Sequence, residues 1–524
     1  MSLTPVENVD VDIAVVGSGF SGSLMALCLR RLGKSVALVE RGRHPRFAIG
    51  ESSTPLANLL LEELADRYDL PAVRVFSKWG TWQRVRPEVA GGLKRGFTFF
   101  FHAAGSPFAD NEEHGSQLMV AASPHDDIGD THWYRPDFDH ALQREAEADG
   151  AIYLDETRLD RIVEEASSVI LEGTRKGRSV RITTSFIVDA SGPRGCLHRM
   201  LGLDEAPLRW LGSTAGLYTH FEGVERWDRL VRPDREPPYP PDEAALHHVF
   251  AGGWIWVLRF NNGITSAGAA LTDATALAVR AADGATGWKR LLESLPSVQD
   301  QFARSRAVRP FVHAPRLAFR SSQVCGRMWA LLPSAAGVID PLLSTGFPLT
   351  LLGIGRLLDL LERVRGEAER QVALCEYARI TQAELDVTEQ LVAALYANMT
   401  DPPLFKRLAL LYFAAASYSE AARRLRKTEL AEGFLLQSHR RFGSDLRTCA
   451  SAAIALASDS DRRQLLDRID QAIEPFDVAG LLDRTRRDWY PVRAEDLFAA
   501  ATKLSATASE IRQLLARTGF VSSS

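Results

Sequence analysis

The chain has 524 residues, 46% hydrophobic and 24% charged, with a formal net charge of −4. That length exceeds the size at which one hydrophobic core keeps growing, so two or three subdomains are expected, with room to bury a large cofactor. The near-neutral charge leaves no polyelectrolyte footprint, which excludes nucleic acid as an expected partner. The five cysteines (Cys28, Cys196, Cys325, Cys375, Cys449) are scattered, with no CxxC pair or His/Cys cluster. They argue against a disulfide framework or a zinc site and fit a reducing cytoplasm.

The N-terminus carries acidic residues before its first apolar run and has no signal-type stretch, so secretion is not expected. Val11 to Val16 reads as a central parallel strand. A glycine-rich turn follows, then an amphipathic helix from Leu24 to Leu32 and a second strand from Ser35 to Val39. Asp137 to Asp149 reads as a helix. Ala151–Leu154, Arg161–Glu164, Val169–Glu172 and Val180–Val188 read as strands of a mixed sheet leading into Asp189-Ala190-Ser191-Gly192.

Arg232 to Pro241 holds five prolines and reads as a loop. His247–Phe260 and Gly263–Leu271 then pattern as strands joined at Asn261-Asn262-Gly263. Met328 to Gly355 is apolar, but Asp340 and three prolines (Pro333, Pro341, Pro348) make it a buried strand, loop and helix rather than a membrane span. Beyond about Gly353, Val387, Leu391 and Leu395, and later Leu504, Ile511 and Leu515, fall at helical spacings, so the last third is expected to be a helical cap.

Gly17-Ser18-Gly19-Phe20-Ser21-Gly22 follows the first strand and opens the first helix, as a pyrophosphate-binding turn must. Glu40 ends the second strand, where a carboxylate accepts bonds from an adenosine ribose and repels a 2′-phosphate. This unit alone does not choose between NAD and FAD.

Four further segments occur in one order: Arg46 to Pro55 (RFAIGESSTP), Arg135 with Phe138-Asp139, Asp189 to Gly192, and Asp340 to Gly346 (DPLLSTG). Over roughly residues 10 to 355 the chain thereby resembles the flavin-dependent halogenases, relatives of the aromatic hydroxylases and geranylgeranyl reductases. The resemblance implies an α/β fold. A discontinuous FAD-binding Rossmann-like domain of the glutathione-reductase type is expected over 1–355, with a mixed β-sheet substrate domain inserted at approximately 70–135 and 205–320. A helical subdomain is expected over 356–524.

The resemblance also implies FAD, supplied reduced by a separate flavin reductase since no second GxGxxG is present. Its contacts would fall on Gly17, Ser18, Gly19, Phe20, Ser21, Gly22, Glu40, Arg41, Glu51, Ser52, Arg135, Asp189 and Ser334. Chloride or bromide would sit on backbone amides of Ser344, Thr345 and Gly346, fixed dipoles that need no counter-charge. The same turn also reads as an ordinary helix start with Ser344 or Thr345 as N-cap. Hypohalous acid made at the flavin would travel to a lysine beside a small aromatic substrate, free or carrier-tethered, in secondary metabolism.

That lysine is Lys94, in the context Gly91-Gly92-Leu93-Lys94 ahead of an aromatic-rich strand; Lys78 lacks the glycines. An ammonium in an apolar channel can donate to hypohalous acid or carry the halogen as a haloamine. The competing reading is an ordinary lysine on a strand edge.

Three departures narrow the reading. Leu343 stands where tryptophan halogenases carry Glu, which points away from indole and toward phenol- or pyrrole-type rings. The family's W-x-W-x-I-P appears as Trp254 to Arg259 with Arg259 for proline, and the two tryptophans also fit simple core packing. Pro333-Ser334-Ala335 replaces Gly-Asp-Ala, so Ser334 should hold the ribityl chain more weakly. A monooxygenase or reductase of the same fold, and a flavin-binding protein without turnover, remain as alternatives.

Overall fold

The computed structural model describes residues 6–232 and 235–520. Strand β1 (Glu7–Val16), helix α1 (Phe20–Arg31) and strand β2 (Val36–Val39) form the βαβ unit read from the sequence, each within a few residues of the expected bounds. Helix α2 (Pro55–Arg67) follows, capped by the Thr54 side chain, which accepts from the Ala57 amide at 3.1 Å. Next come β3 (Gly91–Lys94), β4 (Gly96–Phe101), β5 (Gln117–Ala121), β6 (Asp130–Trp133) and helix α3 (Arg135–Ala148).

Strands β7 (Ile152–Leu154), β8 (Thr157–Glu164), β9 (Val169–Arg175) and β10 (Arg178–Asp189) join the first sheet, ordered β7-β2-β1-β10-β9-β8, and the later strand Trp329–Leu331 pairs parallel with β10. β2, β1 and β10 run parallel, whereas β8 to β10 form an antiparallel meander. The apolar run of β1 is central and buried, as a strand covered on both faces must be.

The second sheet is built on β11 (Thr214–Glu222), β12 (Ala245–Phe250), β13 (Gly253–Arg259) and β14 (Thr265–Thr272), with β4 and β5 beside β12. The single strand expected over His247–Phe260 is two strands, β12 and β13, paired antiparallel with Phe250 opposite Gly253. The reversal is possible because Gly252 adopts φ +82°, which a side chain would strain. The β13–β14 turn lies at Asn261-Asn262-Gly263 as read. Part of the proline-rich segment expected as a loop, residues 233 and 234, lies outside the described residues; the rest of it is irregular chain.

Met328 to Gly355 folds as read: a strand at Trp329–Leu331, a turn, then helix α4 (Gly346–Arg363). Pro348 falls in the first turn of α4, where a missing N–H costs nothing. Gly353 is the point of closest approach, since a Cβ there would meet Pro333 Cγ at 2.2 Å. The helical remainder comprises α5 (Glu367–Ala397), α6 (Pro402–Arg424), α7 (Phe442–Ile454), α8 (Asp459–Ile473) and α9 (Ala508–Thr518). Among the described residues no helix is long and apolar enough to cross a membrane, and no cluster of His, Cys, Asp and Glu is arranged to hold a metal.

Candidate active site

The site begins at the β1–α1 turn. Gly17 has φ +98°, and a Cβ on Gly22 would fall 1.8 Å from the Gly17 carbonyl, so both positions require glycine. Gly19 is the N-cap of α1 and no side chain caps that helix, leaving its first-turn amides facing outward. A Cβ on Gly19 would lie 3.4 Å from both Arg46 Nη2 and Arg135 Nη2. Two guanidiniums therefore flank the glycine at a helix N-terminus, a cradle suited to a diphosphate.

Arg135 is fixed there. Asp139, fully buried, takes its Nε at 2.7 Å and Nη2 at 2.8 Å, and Nη1 donates to the carbonyls of Ile49 and Gly50 at 3.0 and 2.9 Å. The same arginine thus anchors the Gly50-Glu51-Ser52 loop. Glu40 accepts from the Ser18 amide and hydroxyl at 3.1 and 3.0 Å and from the Gly42 amide at 2.8 Å, and pairs with Arg46 at 3.3 Å. Burial pushes its carboxyl up, but Arg46 and these donors outweigh it and hold Glu40 below the ordinary glutamate range.

A cleft of about 540 Å³ opens from this turn. Of the residues expected to hold cofactor or halide, it brings Gly19, Phe20, Ser21, Glu51, Ser52, Arg135, Ser334, Ser344, Thr345 and Gly346 to one wall system. Gly17, Ser18, Gly22, Glu40, Arg41 and Asp189 are not in that lining. Gly17, Ser18, Gly22 and Glu40 shape the turn behind it. Arg41 is exposed. Asp189 is buried with its oxygens engaged by the Ser191 amide at 2.8 Å, the Ser191 hydroxyl at 2.5 Å and the Leu197 amide at 2.7 Å, so it builds the turn whose next residues, Ala190 to Gly192, form the wall.

Inside the cleft, Glu51 Oε1 lies 2.9 Å from His220 Nε2, while buried Oε2 has no partner. An unpaired buried carboxylate oxygen facing a cleft marks a place for a ligand donor. Trp254 and Trp256 both line the cleft and also belong to the hydrophobic core, donating to Asp340 at 3.2 Å and to the Ser266 hydroxyl at 3.3 Å. Asp340 also accepts from the Tyr396 hydroxyl at 2.9 Å, and burial pushes its carboxyl up to about 6. Leu343 and Ser344 take φ +65° and +54°, a strained double turn that delivers Thr345 and Gly346 to the start of α4. No side chain caps α4, so the N-cap role expected of Ser344 or Thr345 is not made through a hydroxyl. The substituted Arg259 pairs with buried Asp242 at 2.9 Å and donates to the Val224 carbonyl at 3.0 Å, a structural tie that replaces the proline.

Lys94 is fully buried. Its Nζ donates to the Ser52 hydroxyl at 2.9 Å and the Ser53 carbonyl at 2.5 Å, and sits 3.6 Å from the centroid of the Phe97 ring. It is no strand-edge surface residue. Burial pushes its ammonium well below the ordinary lysine range, and Asp130, its cross-strand partner in the β3–β6 ladder, only partly offsets this.

Ser52 belongs to the large cleft, whereas Phe97 and Asp130 line a second cavity of about 190 Å³ whose walls also include Tyr412, Phe413, Arg424 and Leu514 of the C-terminal helices. Lys94 therefore lies in the partition between two cavities. Lys78 lines the second cavity and donates to the Thr518 carbonyl at 3.4 Å.

Sequence reasoning missed Arg46, His220, Asp130 and His132 as site residues. Arg46 stands within a quoted motif, and its charge beside Glu40 was a usable signal. Asp130 and His132 alternate on β6 facing β3, which a strand reading of DTHW places on one face. Nothing local points to His220, whose partner is 169 residues away.

A family model described as tryptophan halogenase matches residues 131–410, and one described as an NAD(P)-binding Rossmann-like domain matches residues 15–64. The tetracycline 7-halogenase of Kitasatospora aureofaciens is 30% identical over 77% of this chain and 73% of its own length. The monodechloroaminopyrrolnitrin halogenase PrnC of Pseudomonas fluorescens is 30% identical over 82% of this chain and 73% of its own. The crystal structure of halogenase PltM superposes with a TM-score of 0.80 at 23% identity, over 91% of this chain and 99% of that one.

Proposed function

This chain belongs to the flavin-dependent halogenases of the tryptophan halogenase family, and on that premise we propose that it uses reduced FAD, oxygen and chloride or bromide to halogenate an electron-rich aromatic of the phenol or pyrrole type. The observation that carries this reading is the position of Lys94, a fully buried cation in the partition between a cleft and a second cavity. Burying a cation costs several kcal/mol, and Lys94 is held by a hydroxyl, a carbonyl and a ring face rather than by an ion pair of the kind that holds buried Lys406 to Asp488.

The protein has the parts to hold the cofactor. Arg46, Arg135 and the first-turn amides of α1 take the diphosphate, and Glu40 stands at the ribose position with its acceptors already shared among Ser18, Gly42 and Arg46. Ser334 faces the ribityl chain and the unpaired oxygen of Glu51 receives a donor. Bound and reduced, FAD supplies from oxygen and halide the hypohalous acid that the rest of the site uses. Halide rests on the amides of Thr345 and Gly346, at an uncapped helix start, the Ser344 amide being taken by the Pro341 carbonyl at 3.0 Å. A separate reductase reduces the flavin.

Lys94 receives hypohalous acid from the cleft side through Ser52 and presents the halogen to the second cavity, donating a proton to the departing oxygen. That cavity, at about 190 Å³, exceeds the roughly 150 Å³ that suffices for a benzene-sized guest. Its Tyr412 and Phe413 offer apolar ring faces and its Arg424 and Glu420 a polar rim, where a free or carrier-tethered substrate enters.

The test is product analysis. FAD-loaded protein, reduced by a separate flavin reductase and given air, bromide and a panel of phenols and pyrroles, should yield brominated product by mass spectrometry. Rapid flavin reduction by NADPH alone, with hydroxylated or saturated product, would assign the chain to monooxygenase or reductase chemistry. No turnover with any reductant would indicate flavin binding without catalysis.

A further inference from the structure

Asp130 sits where the halogenation chemistry leaves a proton to be removed. It lies opposite Lys94 in the β3–β6 ladder, so the two side chains leave the same face, and it lines the second cavity. Asn58 donates to Oδ1 at 2.9 Å, while Oδ2 is buried without a partner. This oxygen belongs to a residue that borders the second cavity beside Lys94.

We propose that Asp130 is the proton acceptor for the ring substituent of the aromatic substrate, and that the site therefore selects rings bearing an ionisable O–H or N–H. This rests on the halogenase reading above. The step balances for a phenol as follows. The ring carbon forms its bond to halogen as the halogen–oxygen bond of hypohalous acid breaks; the departing oxygen takes a proton from the Lys94 ammonium and leaves as water. The phenolic O–H proton passes to Asp130, giving a neutral cyclohexadienone. The ring C–H proton then passes to the neutral Lys94 amine, and Asp130 returns its proton to oxygen. Both residues are restored, and the net change is phenol plus hypohalous acid to halophenol plus water.

The surroundings suit this role. Asp130 faces Asn58, Tyr412, Lys94, Glu420 and Arg424; burial, then Glu420, push its carboxyl above the ordinary range, bringing a carboxylate closer to the basicity of a phenolate. Lys94 also faces His132 and His247, and burial keeps both imidazoles neutral, with His247 pushed down to about 3. Neither histidine adds a competing cation.

The experiment compares Asp130→Asn with wild type on phenols of graded acidity. Asn keeps the volume and accepts a hydrogen bond but takes no proton. With a phenol that is un-ionised at the working pH, Asp130→Asn should lose about 10²-fold in halogenation, while with a phenol already ionised the loss should shrink to within about threefold. Calorimetric affinity of the un-ionised phenol for the oxidised holoenzyme should be alike in the two proteins. Rates are compared at a pH below the alkaline limb of both proteins, where hypohalous acid delivered to a cyclic β-diketone trap should be unchanged. A loss of the same size across all phenols, or no loss with the un-ionised one, overturns the proposal. Wild type that halogenates neither phenol nor trap overturns the halogenase reading and the proposal with it.

Discussion

The Nζ of Lys94 donates to the hydroxyl of Ser52 at 2.9 Å, tying a buried cation on β3 to the loop that Arg135 anchors from α3. The loop that walls the large cleft and the lysine behind it are therefore in direct contact.

Glu40→Arg should release FAD. The substitution removes three acceptor contacts within the turn and sets a cation beside Arg46. Each hydrogen bond to a charged group is worth roughly 1.5–3 kcal/mol, so affinity should fall at least tenfold. Fluorescence titration of apo protein with FAD measures this, and purified variant still carrying stoichiometric yellow flavin would contradict the role of Glu40.

Gly22→Ala should be worse than any side-chain change in the cleft. Its Cβ would lie 1.8 Å from the Gly17 carbonyl, and neither backbone atom is free to move. Overpacking of this severity costs about 3 kcal/mol or more. The melting temperature and flavin content should fall together, and a variant with native stability would show that α1 can shift.

Ser334→Asp should tighten FAD. Serine at this position offers a neutral bond, and a charge-assisted bond is about twice as strong. Wild type should bind FAD more loosely than nanomolar, and the variant about fivefold more tightly. An apo protein that titrates with nanomolar affinity would contradict this.

These positions also mark what the sequence made legible. The βαβ unit was readable because its signals are local: an apolar run, glycines at fixed spacing and an acid at the end of β2. Lys94 was readable through its glycines, which the fold uses for close approach, since a Cβ on Gly92 would meet the Arg259 carbonyl at 2.0 Å. Strand ends were less legible; the β12–β13 reversal rests on one glycine, Gly252, inside an otherwise continuous β pattern. His220 was invisible as a site residue because its partner lies 169 residues away, and Asp130 was legible only as one face of a short strand. The second cavity was illegible too, since β4, β6 and the C-terminal helices build it jointly.

The pH dependence of halogen transfer follows from burial of Lys94. Its pKa is lowered, so the ammonium is present below a point that lies under the ordinary lysine range and is lost as pH rises through it. Halogenation should therefore fall on the alkaline side earlier than an exposed lysine would dictate. Asp130 favours the ammonium, so Asp130→Asn should move that limb to lower pH. Stopped-flow product rates across pH, with flavin oxidation followed in parallel, check the sign. A limb that stays in place or moves upward would show that Asp130 does not stabilise the ammonium.

The central claim is that Lys94 activates hypohalous acid at the partition between the two cavities, and Lys94→Ala tests it most directly. Flavin oxidation and halogenated product are measured on the same preparations with bromide and a phenol that wild type converts. The account predicts unchanged FAD binding and flavin oxidation, with product lower by about 10²–10⁴-fold, the range for losing a positioned proton donor. Lys94→Arg should fail as well, because a guanidinium is bulkier and does not deprotonate. Lys94→Ala protein that halogenates the phenol as fast as wild type would contradict it.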